Sequence, residues 1–330
     1  MKKQYRYIAV IWISLFLIAG CGKESKTLDS TQSPIYIAEG IRKLSVTREG
    51  EEILLLSYEP TEHESTYEYW KIRVPYGEHA IVDTEAMLLL YHNLEALELK
   101  QEEVPEDEST GLDDSKTNIS MEFCQTNRTE RDAMMKGEAY EDESPSYKAE
   151  ADSSFTLIIG NKNGEGYYYT SLSSNPENIY LMSEKTIDDI LNTKPFDLII
   201  KVSAVVNVDT VEQVEIHMDG MEYHFKNKEG IYAWNERTIN EGEFQELYTE
   251  LLSVLVDEEV KDVEKSSEDV MLKLYFKRNT AKLDDVEIIY HIYDETHALV
   301  SVNGVEKLLV KQDDIQALKD KIKSFEQGGN

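Results

Sequence analysis

The sequence predicts an α+β fold built from two tandem copies of a unit that combines a mainly antiparallel sheet with helices. Three observations predict it. The hydrophobic period changes between 2 and 3.6 residues in the same order in both halves. Each half opens with a hairpin whose turn pairs an acidic residue with a glycine. Long connections, which parallel strands require, are few. We assign residues 35–197 to the first copy and residues 198–327 to the second.

The two opening hairpins are the clearest sign of duplication. "IRKLSVTREGEEILL" (41–55) and "VEQVEIHMDGMEYHF" (211–225) turn at Glu49-Gly50 and Asp219-Gly220, where glycine permits a positive φ. Aligning the turns predicts which apolar side chains share one side of each hairpin. They are Leu44, Val46, Ile53 and Leu55 in the first copy, and Val214, Ile216, Tyr223 and Phe225 in the second.

A short aromatic strand and a helix follow each hairpin. The strands carry Trp70 and Trp234, which the alignment treats as equivalent. The helices begin after Asp83 and after Asn240, where Glu243 completes a capping box. The helical period predicts two core-facing stripes. They are Met87, Leu88, Tyr91 and Leu94 in the first helix, and Phe244, Leu247, Leu251 and Val254 in the second.

Four more strands and a closing helix complete each copy. The predicted strands are 117–124, 154–160, 166–172 and 178–182 in the first copy, and 269–276, 286–293, 298–302 and 305–310 in the second; the closing helices are 183–191 and 312–325. Cys124 ends one of these strands, so we expect a half-buried packing position and not a thiol nucleophile. An acidic, polar insertion at about 125–153 has the composition of a disordered segment, although long loops can also be functional.

The N-terminus predicts lipid anchoring. Basic residues precede an apolar run from Ile8 to Ala19 that is too short for a comfortable membrane span. "IAGC" then resembles the lipobox of bacterial lipoproteins, in which the cysteine is diacylated and becomes the new N-terminus. We therefore predict a signal peptide at 1–20, lipidation of Cys21 and a polar tether at 21–34. The alternatives are an ordinary secretory signal and a short anchor helix. The expected location is the extracytoplasmic face of the cell membrane.

Charge and motifs narrow the function. The chain has 34 basic and 65 acidic residues, and a net charge of −31 repels nucleic acid phosphates. The sequence contains no G-x-S-x-G, H-E-x-x-H, C-x-x-C, P-loop or G-x-G-x-x-G motif. We predict no catalytic residue, no cofactor and no nucleic acid partner.

One group of side chains could bind a metal ion. Across the Asp219-Gly220 turn, His217 would face Glu222 and His224 would face Glu215. Two histidines and two carboxylates on one face could bind zinc. The alternative is a pair of solvated cross-strand contacts. The sequence favours that alternative, so we expect no bound metal and keep the four residues as a weak candidate.

The repeated pattern resembles a bacterial family described as domain of unknown function 4340. The motifs that carry the resemblance are "IRKLSVTREGEE", Trp70, "GLDD" (111–114), "LIIGNKNGEGYYY" (157–169) and "NIYLMSEKTIDDIL" (178–191). The second half lacks the "GLDD" and "IGNK" signatures. The resemblance implies an extracytoplasmic protein often found with ABC-type transport systems of the gliding-motility type. It implies no catalytic residue.

Together these observations predict a non-catalytic lipoprotein that acts as an accessory or binding component of a membrane complex, such as an ABC-type transport system. Its expected partners are the membrane, through a diacylglyceryl anchor, and a membrane protein such as an ABC permease. The alternatives are an extracytoplasmic hydrolase with a site between the repeats, and a cation- or sugar-binding lipoprotein.

Overall fold

The computed structural model of this chain describes residues 40–60, 69–77, 80–101, 104, 108–124, 150–228, 230–260 and 269–328. Cys21, the predicted signal peptide and tether, and residues 125–149 of the predicted insertion lie outside these ranges. Contacts group Pro34–Asn330 into one unit, which holds both predicted repeats. None of the helices in the described part of the chain combines the length and the hydropathy that a membrane span needs.

Two antiparallel sheets dominate the described residues, which confirms the predicted α+β class. The first sheet contains β1 (Ile41–Arg48), β2 (Glu51–Tyr58), β3 (Trp70–Ile72), β4 (Lys100–Gln101), β5 (Asn118–Phe123), β6 (Ser153–Lys162), β7 (Tyr167–Leu172) and β8 (Asn175–Ser183). The second contains β9 (Val211–Met218), β10 (Met221–Lys228), β11 (Ile231–Trp234), β12 (Arg237–Ile239), β13 (Val256–Glu259), β14 (Val270–Arg278), β15 (Val286–Ile292), β16 (His297–Val302) and β17 (Val305–Lys311).

The strand order confirms the duplication. The first sheet runs β3-β2-β1-β5-β6-β7-β8-β4, and the second runs β12-β11-β10-β9-β14-β15-β16-β17-β13. When β12 is set aside, each strand of one sheet has a counterpart at the same place in the other. The opening hairpin lies inside both sheets, nearer one edge, and the short strand that follows the first long helix forms the far edge.

Two helices of each copy occupy matching places as well. The helical segments are α1 (Arg73–Tyr76), α2 (Thr84–Glu95), α3 (Glu184–Leu191), α4 (Pro195–Leu198), α5 (Glu241–Leu251) and α6 (Gln312–Gln327). The matching pairs are α2 with α5 and α3 with α6. Both predicted N-caps are confirmed. Asp83 Oδ1 accepts hydrogen bonds from the amides of Glu85 and Ala86, each at 3.0 Å, and Asn240 and Glu243 form the reciprocal capping box.

The first opening hairpin corrects the predicted register. Val46 pairs with Leu54, but Thr47 pairs with Glu52, so Ile53 is skipped in a β-bulge. Because side chains alternate along a strand, this extra residue exchanges the two faces of β2 beyond it. Leu54 and Leu56 are therefore buried, whereas Ile53 and Leu55, which we predicted on the core side, are only half-buried.

The second hairpin has no such irregularity. Tyr223 pairs with Ile216 and Phe225 pairs with Val214, and all four side chains are buried as predicted. The difference between the hairpins also corrects the tryptophan alignment. In the second sheet Phe225 pairs with Trp234. The equivalent pair in the first sheet is Leu56–Ile72, so Ile72 and not Trp70 matches Trp234. Trp70 pairs with Tyr58 instead.

The helix stripes are confirmed in the second copy and corrected in the first. Phe244, Leu247, Leu251 and Val254 are all buried. In α2, Met87, Leu90 and Leu94 are buried, whereas Leu88 is 61% exposed. The run Met87–Leu90 is apolar at every position, so the period alone does not separate Leu88 from Leu90.

The two copies share one hydrophobic core, which draws residues from both sheets and their helices. Tyr76 of α1 donates a hydrogen bond to Glu259 of β13, with an Oη–Oε1 distance of 2.6 Å. Burial and this bond raise the pKa of Tyr76.

Cys124, directly after β5, is a free thiol and is buried more completely than the predicted half-buried position.

Candidate functional site

The β9–β10 hairpin holds the predicted metal-binding candidates on one face. The register places Glu222 opposite His217 and His224 opposite Glu215, as the sequence predicted. The alternating neighbours Ile216 and Tyr223 enter the core. The four polar side chains therefore share the opposite, partly exposed face of the sheet.

The four side chains lie close to one another. Glu222 Oε1 is 3.3 Å from His224 Nε2, and Glu222 Oε2 is 4.0 Å from His217 Nδ1. Glu215, His217 and Glu222 each offer one ligand atom within 4.8 Å of the other two. Gln213 Nε2 donates to Glu215 Oε1 at 2.8 Å. The hairpin thus brings two carboxylates and an imidazole to one point, with His224 beside them.

The adjacent strand β14 supplies further polar groups. Lys273 lies opposite His217, and Tyr275 lies opposite Glu215. Lys273 pairs with Glu287, and the Tyr275 hydroxyl donates to Asp285 Oδ2 at 2.6 Å. The hydrogen bond to Asp285, burial and the nearby carboxylates raise the pKa of Tyr275 to about 12. Carboxylates from three strands, β9, β10 and β15, therefore lie beside Lys273 on this face of the sheet.

A second cluster, which sequence reasoning missed, joins His297 of β16 to Asp257 of β13 across the intervening strand β17. His297 Nε2 is 3.2 Å from Asp257 Oδ2, and its Nδ1 is 3.5 Å from Asp294 Oδ1. The hydrogen bond with Asp257 and the surrounding carboxylates raise the pKa of His297. Lys311 Nζ is 3.4 Å from Asp257 Oδ1, so a lysine already neutralises part of the cluster. It is an ion-pair network more than a set of metal ligands.

A hydrolase site between the two copies would need a cavity there that can hold a substrate. A cavity of about 30 Å³ occurs there, bordered mainly by aliphatic side chains such as Ile81, Ile199 and Val305. The polar side chains in its lining are those of Tyr76, Ser203 and Lys307. Such a volume holds about one or two water molecules, whereas ligand pockets are typically about 300–1,000 Å³. Among the described residues, this lining contains no carboxylate or histidine.

An apolar groove lies beside α2, where the helix meets β2 and β3. Its volume is about 260 Å³, and its lining is Tyr58, Trp70, Val82, Thr84, Met87, Leu88 and Tyr91. The Trp70 ring centroid is 5.3 Å from that of Tyr58 and 6.3 Å from that of Tyr91. Leu88, which lines the groove, is 61% exposed, and Leu89, the next residue of α2, is 71% exposed.

The second copy carries a different surface at this place. Aligning the N-caps Asp83 and Asn240 places Gln245 at the position of Leu88 and Glu246 at the position of Leu89. Both residues are exposed. The exposed leucines are therefore a property of the first copy and not a requirement of the repeated fold.

No family model matches this chain, and neither a curated protein nor a solved structure similar to it was found. The resemblance to the family of domain of unknown function 4340 therefore rests on the sequence motifs.

Proposed function

We propose that this protein is a non-catalytic, lipid-anchored accessory component of a membrane complex and that it contacts its protein partner through the groove beside α2. The observation that carries the proposal is the exposed pair Leu88 and Leu89 next to an aromatic groove. Fully burying a leucine side chain contributes about 1.5–3 kcal/mol, so covering this surface would favour association.

The comparison between the copies supports this interpretation. The same helix position carries Gln245 and Glu246 in the second copy, where the fold is equally complete. The leucines are thus not needed to fold the helix onto its sheet. A partner that covers them gives a reason for their presence in the first copy only.

The predicted anchor supplies the location. With lipidation at Cys21, the predicted tether would keep the folded body close to the extracytoplasmic face of the membrane. This tether raises the effective concentration of the body towards integral membrane proteins. The proposed partner is therefore a membrane protein, such as a permease subunit of an ABC-type transport system.

Site-specific cross-linking in intact cells tests the proposal. A photo-reactive residue at position 88 or 89 should form an adduct with a membrane protein, and the same residue at position 245 or 246 should not. Equal adducts from both pairs of positions, or none from either, would contradict the proposed docking surface. Turnover of a substrate by the purified protein, lost on replacing a single carboxylate or histidine, would replace the accessory role with the hydrolase alternative.

A further inference from the structure

We propose that the outer face of the β9–β10 hairpin binds one zinc-class divalent metal ion through Glu215, His217 and Glu222, with His224 as a residue that positions Glu222. This inference is independent of the proposed docking surface. It departs from the sequence-based expectation of no metal, because Glu215, His217 and Glu222 each place a ligand atom within 4.8 Å of the other two.

The ligand types suit the ion. Zinc binds imidazole nitrogen and carboxylate oxygen, and three protein ligands with one open position form a recurrent arrangement. Bond lengths of about 2.0–2.2 Å require ligand atoms roughly 3.3–3.5 Å apart in a tetrahedral site. The three candidate ligand atoms already lie within 4.8 Å of one another on half-exposed side chains. Small side-chain rotations, with no change in the backbone, would close the site.

Each carboxylate has a polar neighbour at one oxygen, which leaves its second oxygen for the ion. Gln213 Nε2 donates to Glu215 Oε1. His224 Nε2 lies 3.3 Å from Glu222 Oε1. The other oxygen, Oε2, is the one nearer His217. Such outer partners orient the ligands of known metal sites.

The surrounding charges also favour a cation. Lys273, which lies opposite His217, is paired with Glu287 and so does not neutralise the ligand carboxylates. The chain carries 65 acidic and 34 basic residues, which raises the local concentration of cations. At the Asp257–His297 cluster, in contrast, Lys311 contacts the carboxylate. The two clusters therefore differ in whether a lysine contacts a carboxylate that would bind the ion.

A zinc titration of the full-length chain in detergent, with a competing chelator as reporter, tests the proposal. The expected result is a saturable one-to-one site that His217→Ala and Glu222→Gln abolish. His224→Ala should weaken it by about 10–100-fold, the range expected when an orienting partner is lost. His224→Gln, whose amide can still donate to Glu222, should recover part of that loss. The matched control His297→Ala should bind as the wild type does.

Cobalt substituted for zinc gives a second readout, since its visible spectrum reports the ligand set. The bands should disappear in His217→Ala and persist in His297→Ala. Circular dichroism checks that each variant is folded. The proposal is overturned if the wild type shows no saturable binding, if His217→Ala binds normally, or if His297→Ala removes the site.

Discussion

Gly111 and Asn161 are in such close contact that a Cβ on the glycine would lie 2.5 Å from Asn161 Oδ1. Asn161 in turn donates its backbone amide to Thr110 O at 2.7 Å and its side-chain amide to Ser109 O at 3.1 Å. The "GLDD" and "IGNK" motifs are far apart in the chain, and Asn161 brings them into contact through residues 109–111. Their role in the first copy is structural.

We predict that Gly111→Ala destabilises the protein by about 1–3 kcal/mol more than Gly164→Ala does. Both glycines have a positive φ, so both substitutions strain the backbone. Only Gly111 has Asn161 against its missing Cβ, since nothing lies within 4 Å at Gly164. Urea unfolding of both variants measures the difference, and equal losses would show that backbone conformation alone requires the glycine.

The capping box predicts a loss of stability at α5. Asn240→Ala removes the acceptor for the Glu243 amide and should cost about 1 kcal/mol, within the 0.5–2 kcal/mol range of such caps. Asn240→Gly should cost only a few tenths of a kcal/mol. Thermal and urea unfolding measure both variants. Because both variants lack the side-chain acceptor, an unchanged free energy of unfolding in Asn240→Ala would show that the hydrogen bond of the cap does not stabilise α5.

The surface leucines predict a separation of stability from partner binding. Leu88→Gln with Leu89→Glu copies the residues of the second repeat onto α2. Because both leucines are mostly exposed, the free energy of unfolding should change by no more than about 0.5 kcal/mol. Cross-linking to the membrane partner should be lost. A large drop in stability would instead mean that the leucines belong to the core.

The His297–Asp257 pair predicts a pH-dependent contribution to stability. The pKa of His297 is raised, so its contribution is complete below about pH 6.5 and is lost as the pH rises through the folded-state value. The hydrogen bond from His297 and the nearby Lys311 lower the pKa of Asp257, so its contribution is lost as the pH falls below about 4. Asp294 acts in the same sense as Asp257 on the imidazole.

The stability difference between the wild type and His297→Gln should therefore be largest between about pH 4 and pH 6.5 and should shrink above that window. Urea unfolding at a series of pH values measures it. His291→Gln provides a second histidine variant for comparison. A difference that stayed constant from pH 5 to pH 9 would show that packing, and not charge, accounts for the effect of His297.

Lipidation at Cys21 stays a prediction, and intact-mass measurement of the mature protein checks it. We expect a chain that begins at residue 21 and carries two acyl groups, and we expect Cys21→Ala to leave the membrane fraction. An unmodified wild-type N-terminus, or a variant that stays firmly membrane-bound, would disprove the anchor.

The sequence predicted most of the long strands and the four longer helices, α2, α3, α5 and α6. Their hydrophobic periods are regular, and several of the turns between the strands contain glycine. It failed where apolar residues are consecutive. Ile53–Leu56 and Met87–Leu90 each offer more than one possible core face, and only tertiary packing selects Leu54 and Leu90. The strands β4, β12 and β13 are too short to show a period.

The candidate metal face was predictable because one hairpin register brings its members together, and a two-residue turn fixes that register. The Asp257–His297 pair was not predictable in the same way. Its members are separated by 40 residues and by the intervening strand β17. No local pattern encodes such a contact.

The outermost strands of both sheets are short. Among the described residues, β3 and β4 have three and two residues, and β12 and β13 have three and four, so each outermost strand itself offers few backbone groups. Long open edges invite neighbouring chains to pair by strand addition. If the chain is anchored in a membrane, its copies are crowded in two dimensions with similar orientations, which favours such pairing. The abbreviated edges would let many copies share a membrane surface without joining into a continuous sheet.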